Sequence, residues 1–125
     1  MAHIIELNTF VDQRGNLSVI DDVQSTLPFK IKRVFYIYNI DDSQRGGHRH
    51  YKTLQAAICI NGSCTVSCNN GKEKKVFKLD SANKCLIINS NDWHTMEKFV
   101  EGSILLVFAS EKFDHRDYIF EPYEN

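Results

Sequence analysis

Hydrophobic and polar positions in this chain come in short runs, most of them ending at a glycine or asparagine turn. "IKRVFYIYNI" (31–40) is rich in β-branched and aromatic residues, and "QAAICI" (55–60) follows it. "SCTVSC" (63–68) comes after Asn61-Gly62, and "KEKKVFKL" (72–79) comes after the "NNG" turn at 69–71. "CLIINS" (85–90), "WHTMEKF" (93–99) and "SILLVFA" (103–109) complete the series. Asn-Gly between alternating segments is a strong hairpin signal, because both residues accept the positive φ of a tight turn. Strands recurring at about 8–12 residues predict an all-β sandwich or barrel. No segment keeps a helical repeat, and "DDSQRGG" (41–47) reads as a loop leading into the next strand. The 125 residues fit one domain, 1–125, with one core.

Two of these strands make demands on their neighbours. In "EKKVFKL", Lys75, Phe77 and Leu79 share one side, and Lys74, Val76 and Lys78 the other. That predicts a partly wetted outer strand whose lysines discourage edge-to-edge pairing. "IKRVFYIY" carries large apolar groups on both faces, so both need cover, from a second sheet or from another subunit. This points to a homodimer.

Charge narrows the partners. The chain has 15 Lys and Arg against 16 Asp and Glu, a formal net charge of −1, and the two signs are mixed. No basic stripe marks a nucleic-acid surface. The longest apolar runs, such as "ILLVFA" (104–109), fall far short of a membrane span, and the N-terminal residues lack a signal peptide's apolar core. A soluble, cytoplasmic protein is expected. On that expectation Cys59, Cys64, Cys68 and Cys85 read as small buried hydrophobes rather than disulfides. Cys64 and Cys68 would face the same side of a strand, roughly 13 Å apart at about 3.3 Å per residue, too far to share one ion.

The chemistry concentrates in "GGHRHYKTLQ" (46–55). Residues i and i+2 of a strand point the same way, so His48 and His50 share a face and Arg49 takes the other. His94, in "NDWHTME", comes from a distant segment, and Gln55 opens the strand after the pair. Three readings compete: a metal site, an acid–base site, or histidines that simply pack. Three imidazoles suit zinc, iron or copper, but the amide of Gln55 brings no charge to offset an ion's desolvation. Imidazoles also suit proton transfer near neutrality, their ordinary pKa being about 6.5. His3 and His115 carry no motif and read as surface residues.

The spacing His48-x-His50, four residues, Gln55, six residues, Gly62 resembles the first motif of the cupin superfamily, with Gln in place of the usual Glu. Only His94 remains of the second motif. "FVDQRGNLSVID", "LPFKIKRVFYIYN", "RGGHRHYKTLQ", "NGSC", "DWHTME", "LLVFAS" and "RDYI" occur in that order over nearly the whole chain. Together they resemble the nucleotide-sugar 3,4-ketoisomerases, cupins acting on dTDP-4-keto-6-deoxyglucose in deoxyamino-sugar biosynthesis.

The resemblance implies a single-domain cupin, a double-stranded β-helix or jelly roll, that needs neither metal nor other cofactor. It implies transfer of the keto group from C4 to C3 through an enediol. His48 and His50 are then the catalytic pair, with His50 as the base at C3 and His48 as partner or relay. Tyr36 becomes the phenol that supports the developing oxyanion, with Tyr38 on the same face as alternative. Arg33 and Arg45 are candidate diphosphate contacts, and Trp93 is a candidate stacking platform. His94 would orient the substrate, and Gln55 would hydrogen-bond a histidine or the sugar. Gly47, Arg49, Tyr51 and Phe120 depart from the family pattern, which leaves the exact sugar and the product's C4 configuration open. A metal-dependent cupin enzyme and a non-catalytic nucleotide-sugar-binding cupin are the other functions compatible with the residues.

Overall fold

The computed structural model describes residues 1–21 and 26–125. One antiparallel sheet joins β1 (His3–Glu6), β9 (Lys84–Ile88), β6 (Gln55–Asn61), β11 (Ile104–Ala109) and β4 (Arg33–Ile37), in that spatial order. A second joins β12 (Tyr118–Ile119), β5 (Arg45–His50), β10 (Trp93–Glu97), β7 (Cys64–Asn69) and β8 (Lys74–Leu79). β2 (Asn8–Asp12) and β3 (Gly15–Val19) form a separate hairpin. This is the all-β, cupin-like architecture expected. Among the described residues the one helical piece is a single 3-10 turn, His115–Asp117, and no helix is long and apolar enough to cross a membrane.

The interior follows the period of two. Alternate residues of both sheets, among them Ala57, Cys59, Val66, Leu79, Leu86 and Leu105, form one buried apolar cluster. The intervening residues Ala56, Ile58, Cys85 and Ile87 form a second cluster with Leu7, Leu27 and Phe29. "QAAICI" and "CLIINS" are therefore apolar on both faces because their strands are packed on both faces. All four cysteines are free and buried, as packing residues should be.

β8 lies at a sheet edge, with Lys74, Lys75 and Val76 exposed and Leu79 buried, as its lysine pattern predicts. β4 is the opposite case. Phe35 and Ile37 pack against the interior, but Val34, Tyr36 and Tyr38 are 53%, 62% and 59% exposed. The chain thus covers only one face of a strand whose sequence calls for two.

The two glycine turns have different fates. "NNG" closes the β7–β8 hairpin, where Asn69 Oδ1 accepts from Gly71 N and Asn70 Oδ1 accepts from Lys72 N and Glu73 N. Asn61-Gly62, read as a hairpin signal, makes no hairpin. β6 and β7 belong to different sheets, and the turn carries the chain from one to the other. Gly62 sits at φ +78, and a Cβ there would lie 2.3 Å from Ser103 Oγ and 2.9 Å from Ser103 Cα. Ser103 cannot withdraw freely, since its hydroxyl donates to Val100 O at 2.7 Å and accepts from Ser63 N at 3.2 Å.

Gly62→Ala therefore combines a left-handed backbone with a steric clash. Its expected cost is about 1–3 kcal/mol, read as a lower urea midpoint with an unchanged slope. A midpoint equal to wild type would show that the corner is not tightly packed.

Candidate active site

β5 and β10 lie antiparallel, with His48 directly opposite His94. The pairing slips by one residue between His94 and Thr95, where Gly46 and Gly47 take φ values of +84 and +86. The glycine pair is a β-bulge. A Cβ on Gly46 would sit 2.8 Å from the His94 carbonyl oxygen, so only glycine lets the two backbones approach here. The strand begins at Arg45, inside the segment read as a loop.

Cross-strand partners share a face, as do His48 and His50 two residues apart. Ring centroids are 5.1 Å apart for His48 and His50, 4.9 Å for His48 and His94, and 6.2 Å for His50 and His94. His50 and His94 are 4% and 0% exposed, and His48 is half-buried. His94 Nδ1 lies 3.0 Å from the Asp92 carbonyl oxygen. A carbonyl only accepts, so this contact places the ring proton on Nδ1 and leaves Nε2 as a free acceptor.

Two further side chains reach this end of the interior. Gln55, at the start of β6, is buried, and Arg33, at the start of β4, lies close enough for its charge to oppose protonation of His50. The Arg33 guanidinium lies 5.4 Å from the Phe35 ring centroid and 5.7 Å from that of Phe113. Six buried polar atoms have no hydrogen-bond partner among the described residues: four are His50 Nε2, His94 Nε2, Gln55 Oε1 and Arg33 Nε, and the other two are Arg49 Nε and Asp92 Oδ1. Leaving such atoms unpaired costs about 1–3 kcal/mol each, so a cluster of them marks a place made for a polar ligand.

Burial sets the acid–base character. The pKa of His48 is pushed down to about 4 by loss of solvation and then by the neighbouring His94. His50 also falls to about 4, through burial first and His48 next, with Asp117 opposing the shift. His94 reaches about 4 through burial, opposed by its bond to the Asp92 carbonyl. Near neutral pH all three rings are uncharged and able to accept a proton.

Among the described residues no three His, Cys, Asp or Glu side chains are arranged to hold a metal ion. Gln55 stands where a carboxylate would complete a cupin metal set. The residues present do not fit a resident cation.

Of the side chains singled out in the sequence, the fold gathers His48, His50, His94, Gln55 and Arg33. Tyr36 and Tyr38 do not join them. Arg33, Phe35 and Ile37 take the inner face of β4, which turns Tyr36 and Tyr38 outward, their rings 5.6 Å apart. Arg45 is exposed at the start of β5, where its charge is felt by Asp41. Trp93, next to His94 on a strand, faces the other way; its Nε1 donates to Phe120 O over 3.2 Å. His3 and His115 are exposed.

One group entered the sequence reading only as part of the "RDYI" motif, with no role attached to its tyrosine. β12 pairs with β5 so that Tyr118 stands opposite His50, its ring 4.7 Å from His50 and 4.8 Å from His48. Phe120 stacks on Tyr118 at 6.0 Å and Phe113 lies 5.9 Å away. "RDYIF" lies more than sixty residues after His48 and His50, and no local pattern places its side chains beside them.

The family model described as FdtA: WxcM-like, C-terminal, matches residues 1–125. A curated relative, the TDP-4-oxo-6-deoxy-alpha-D-glucose-3,4-oxoisomerase of Aneurinibacillus thermoaerophilus, is 36% identical over 123 residues, covering 98% of this chain and 87% of the relative. A crystal structure of a 3,4-ketoisomerase from Helicobacter canadensis superposes with a TM-score of 0.91 at 35% identity, over 96% of this chain and 90% of that one. A histidine-to-asparagine mutant of the 3,4-ketoisomerase QdtA from Thermoanaerobacterium thermosaccharolyticum, in complex with TDP-4-keto-6-deoxyglucose, gives a TM-score of 0.91 at 37% identity, over 96% and 87% of the two chains.

The three depressed pKa values make folding sensitive to acid. The unfolded chain takes up protons on these rings near pH 6.5, the folded chain only near 4. Their contribution to stability is intact above about pH 6.5 and is lost progressively as pH falls toward 4. NMR titration of the imidazoles should find His48, His50 and His94 with midpoints well below 6.5, alongside a melting temperature that declines over that window. Midpoints of 6 to 7 for all three would refute the desolvated cluster.

Proposed function

The chain belongs to the FdtA family (WxcM-like, C-terminal), and on that basis we propose that it moves the keto group of TDP-4-keto-6-deoxyglucose from C4 to C3. The observation that carries this reading is the cluster of three uncharged imidazoles, in which the buried Nε2 atoms of His50 and His94 have no partner among the described residues. A hydroxylated ring with an adjacent ketone is a ligand that can pair with those atoms, and proton transfer is the chemistry that neutral imidazoles offer.

Moving a ketone by one carbon needs no external oxidant. A base removes the proton on C3, and the C3–H electron pair becomes the C3=C4 double bond as the C4 oxygen takes up negative charge and then a proton. The enediol gives the hydroxyl proton at O3 back to a base, and C4 is protonated at carbon. One hydrogen leaves C3 and one arrives at C4, so the sugar is isomerised without net change of redox state.

His50 takes the C3 proton and His48, 5.1 Å away by ring centroid, relays a proton to C4. Each ring is uncharged before the step, and protonating one makes protonation of its neighbour less favourable, which suits a relay passing one proton at a time. His94, fixed through Nδ1, and Gln55 orient the ring by hydrogen bonds to its oxygens. The Arg33 guanidinium favours charge on a sugar or phosphate oxygen, and Arg45 is free at the surface to meet the diphosphate.

The outward face of β4 supports a homodimer. Val34, Tyr36 and Tyr38 are exposed together, as are Phe10, Val11 and Leu17 on the β2–β3 hairpin. A second copy is the occupant that brings equal apolar area to such a surface. In this reading Tyr36 and Tyr38 serve the dimer, and Trp93 pins the C-terminal segment.

Incubation with TDP-4-keto-6-deoxyglucose in deuterated water tests the reaction. Wild type should wash deuterium into the ring and yield a 3-keto product by NMR, and His50→Asn or His48→Asn should slow this by about 10²–10⁴-fold. No exchange by wild type would leave a binding protein; undiminished exchange in both variants would remove the histidines from the chemistry. For the dimer, sedimentation should give twice the mass of a 14.5 kDa chain, and Tyr36→Glu should give single chains. A monomeric wild type would refute the dimer.

A further inference from the structure

The enediolate needs a hydrogen-bond donor at the oxygen where charge collects, and the neutral imidazoles are occupied with protons at carbon. The sequence suggested Tyr36 for this part, yet β4 turns that side chain outward. We infer that Tyr118 is the phenol of the site, a catalytic residue whose hydroxyl touches the sugar and donates to the enediolate oxygen. The inference rests on the isomerase reading above and deepens it.

Three observations carry it. The β12–β5 register sets Tyr118 across from His50, on the side of the sheet that bears both histidines. Its ring meets His48 and His50 edge to face, at 62° and 67°, so a sugar within reach of both imidazoles is within reach of this phenol. Tyr118 is only half-buried, and nothing among the described residues engages its hydroxyl, whereas the hydroxyl of Tyr123 donates to Asn91 O at 2.8 Å.

The backbone holds Tyr118 in place from the preceding residue. The Asp117 carboxylate accepts from Lys52 N at 2.8 Å, from Thr53 N at 3.2 Å and from the Thr53 hydroxyl. The Asp117 carbonyl accepts from Tyr51 N at 3.0 Å. Residues 51–53 follow His50 directly, so one aspartate ties the turn after the histidine strand to the segment carrying Tyr118. Behind the ring, Phe113 and Phe120 restrict its swing. Such advance positioning is what makes a donor effective at a developing oxyanion, because little reorganisation remains when charge appears. The phenol keeps its proton throughout, lending a hydrogen bond without entering the proton count.

Tyr118→Phe removes one oxygen and preserves the ring. With TDP-4-keto-6-deoxyglucose, kcat for isomerisation and deuterium wash-in should fall about 10–1,000-fold, with KM and the affinity for TDP little changed. An undiminished kcat, or a raised KM with kcat intact, would overturn the catalytic role. Should the Phe variant melt below wild type, 3-fluorotyrosine at position 118 alters the acidity of the phenol with the packing kept; kcat must then change, and an unchanged value overturns the inference. Activity in wild type with full activity in both variants removes Tyr118 alone, whereas an inactive wild type removes the isomerase reading and this inference with it.

Discussion

The close approach of the Gly46 backbone to the His94 carbonyl governs the polar end of this molecule. Without side chains at Gly46 and Gly47, β5 can bulge against β10 and bring His48 across from His94. The bulge re-aims one strand by a single residue, enough to decide which side chains face inward. A bulkier residue at Gly46 would meet the backbone of His94, not a flexible side-chain end, so the strands would have to part and the imidazole cluster would open.

Around that contact the interior divides into two regimes. Over most of its length the two sheets enclose aliphatic side chains and small thiols, the material of a tightly packed core. At one end this gives way to His48, His50, His94, Gln55 and Arg33, held at low solvation. Low solvation makes the imidazoles neutral, and it also leaves polar atoms without partners. Both effects oppose stability, so the apolar remainder of the core must outweigh them. The C-terminal segment closes this end with aromatic rings and is fixed in turn by Asp117, by Trp93 and by Arg49, whose guanidinium lies 4.0 Å from the Tyr123 ring centroid.

The arrangement also shows how little of a site need lie in one stretch of chain. β5 supplies two imidazoles, β10 the third, β6 an amide, β4 a guanidinium and β12 a phenol. None of these elements is rigid alone. Each is held by antiparallel pairing with a neighbour, and the pairing distributes the site among segments far apart in sequence.

Period-two alternation was enough, by itself, to mark most of the strands, the wetted edge of β8, and the common face of His48 and His50. These depend on the pleat, a local property of extended backbone. The ordered motifs added the family. The tertiary structure alone decided what depends on pairing. Asn61-Gly62 has the composition of a hairpin, and only the sheet assignment of the flanking strands shows it crossing between sheets. In "RVFYIY" neighbouring aromatics offer either parity; the packing of Phe35 against the core, not any local preference, turns Tyr36 away. Tyr118 reaches the histidines through a register between segments more than sixty residues apart, and a contact of that kind is written in no single stretch of the chain.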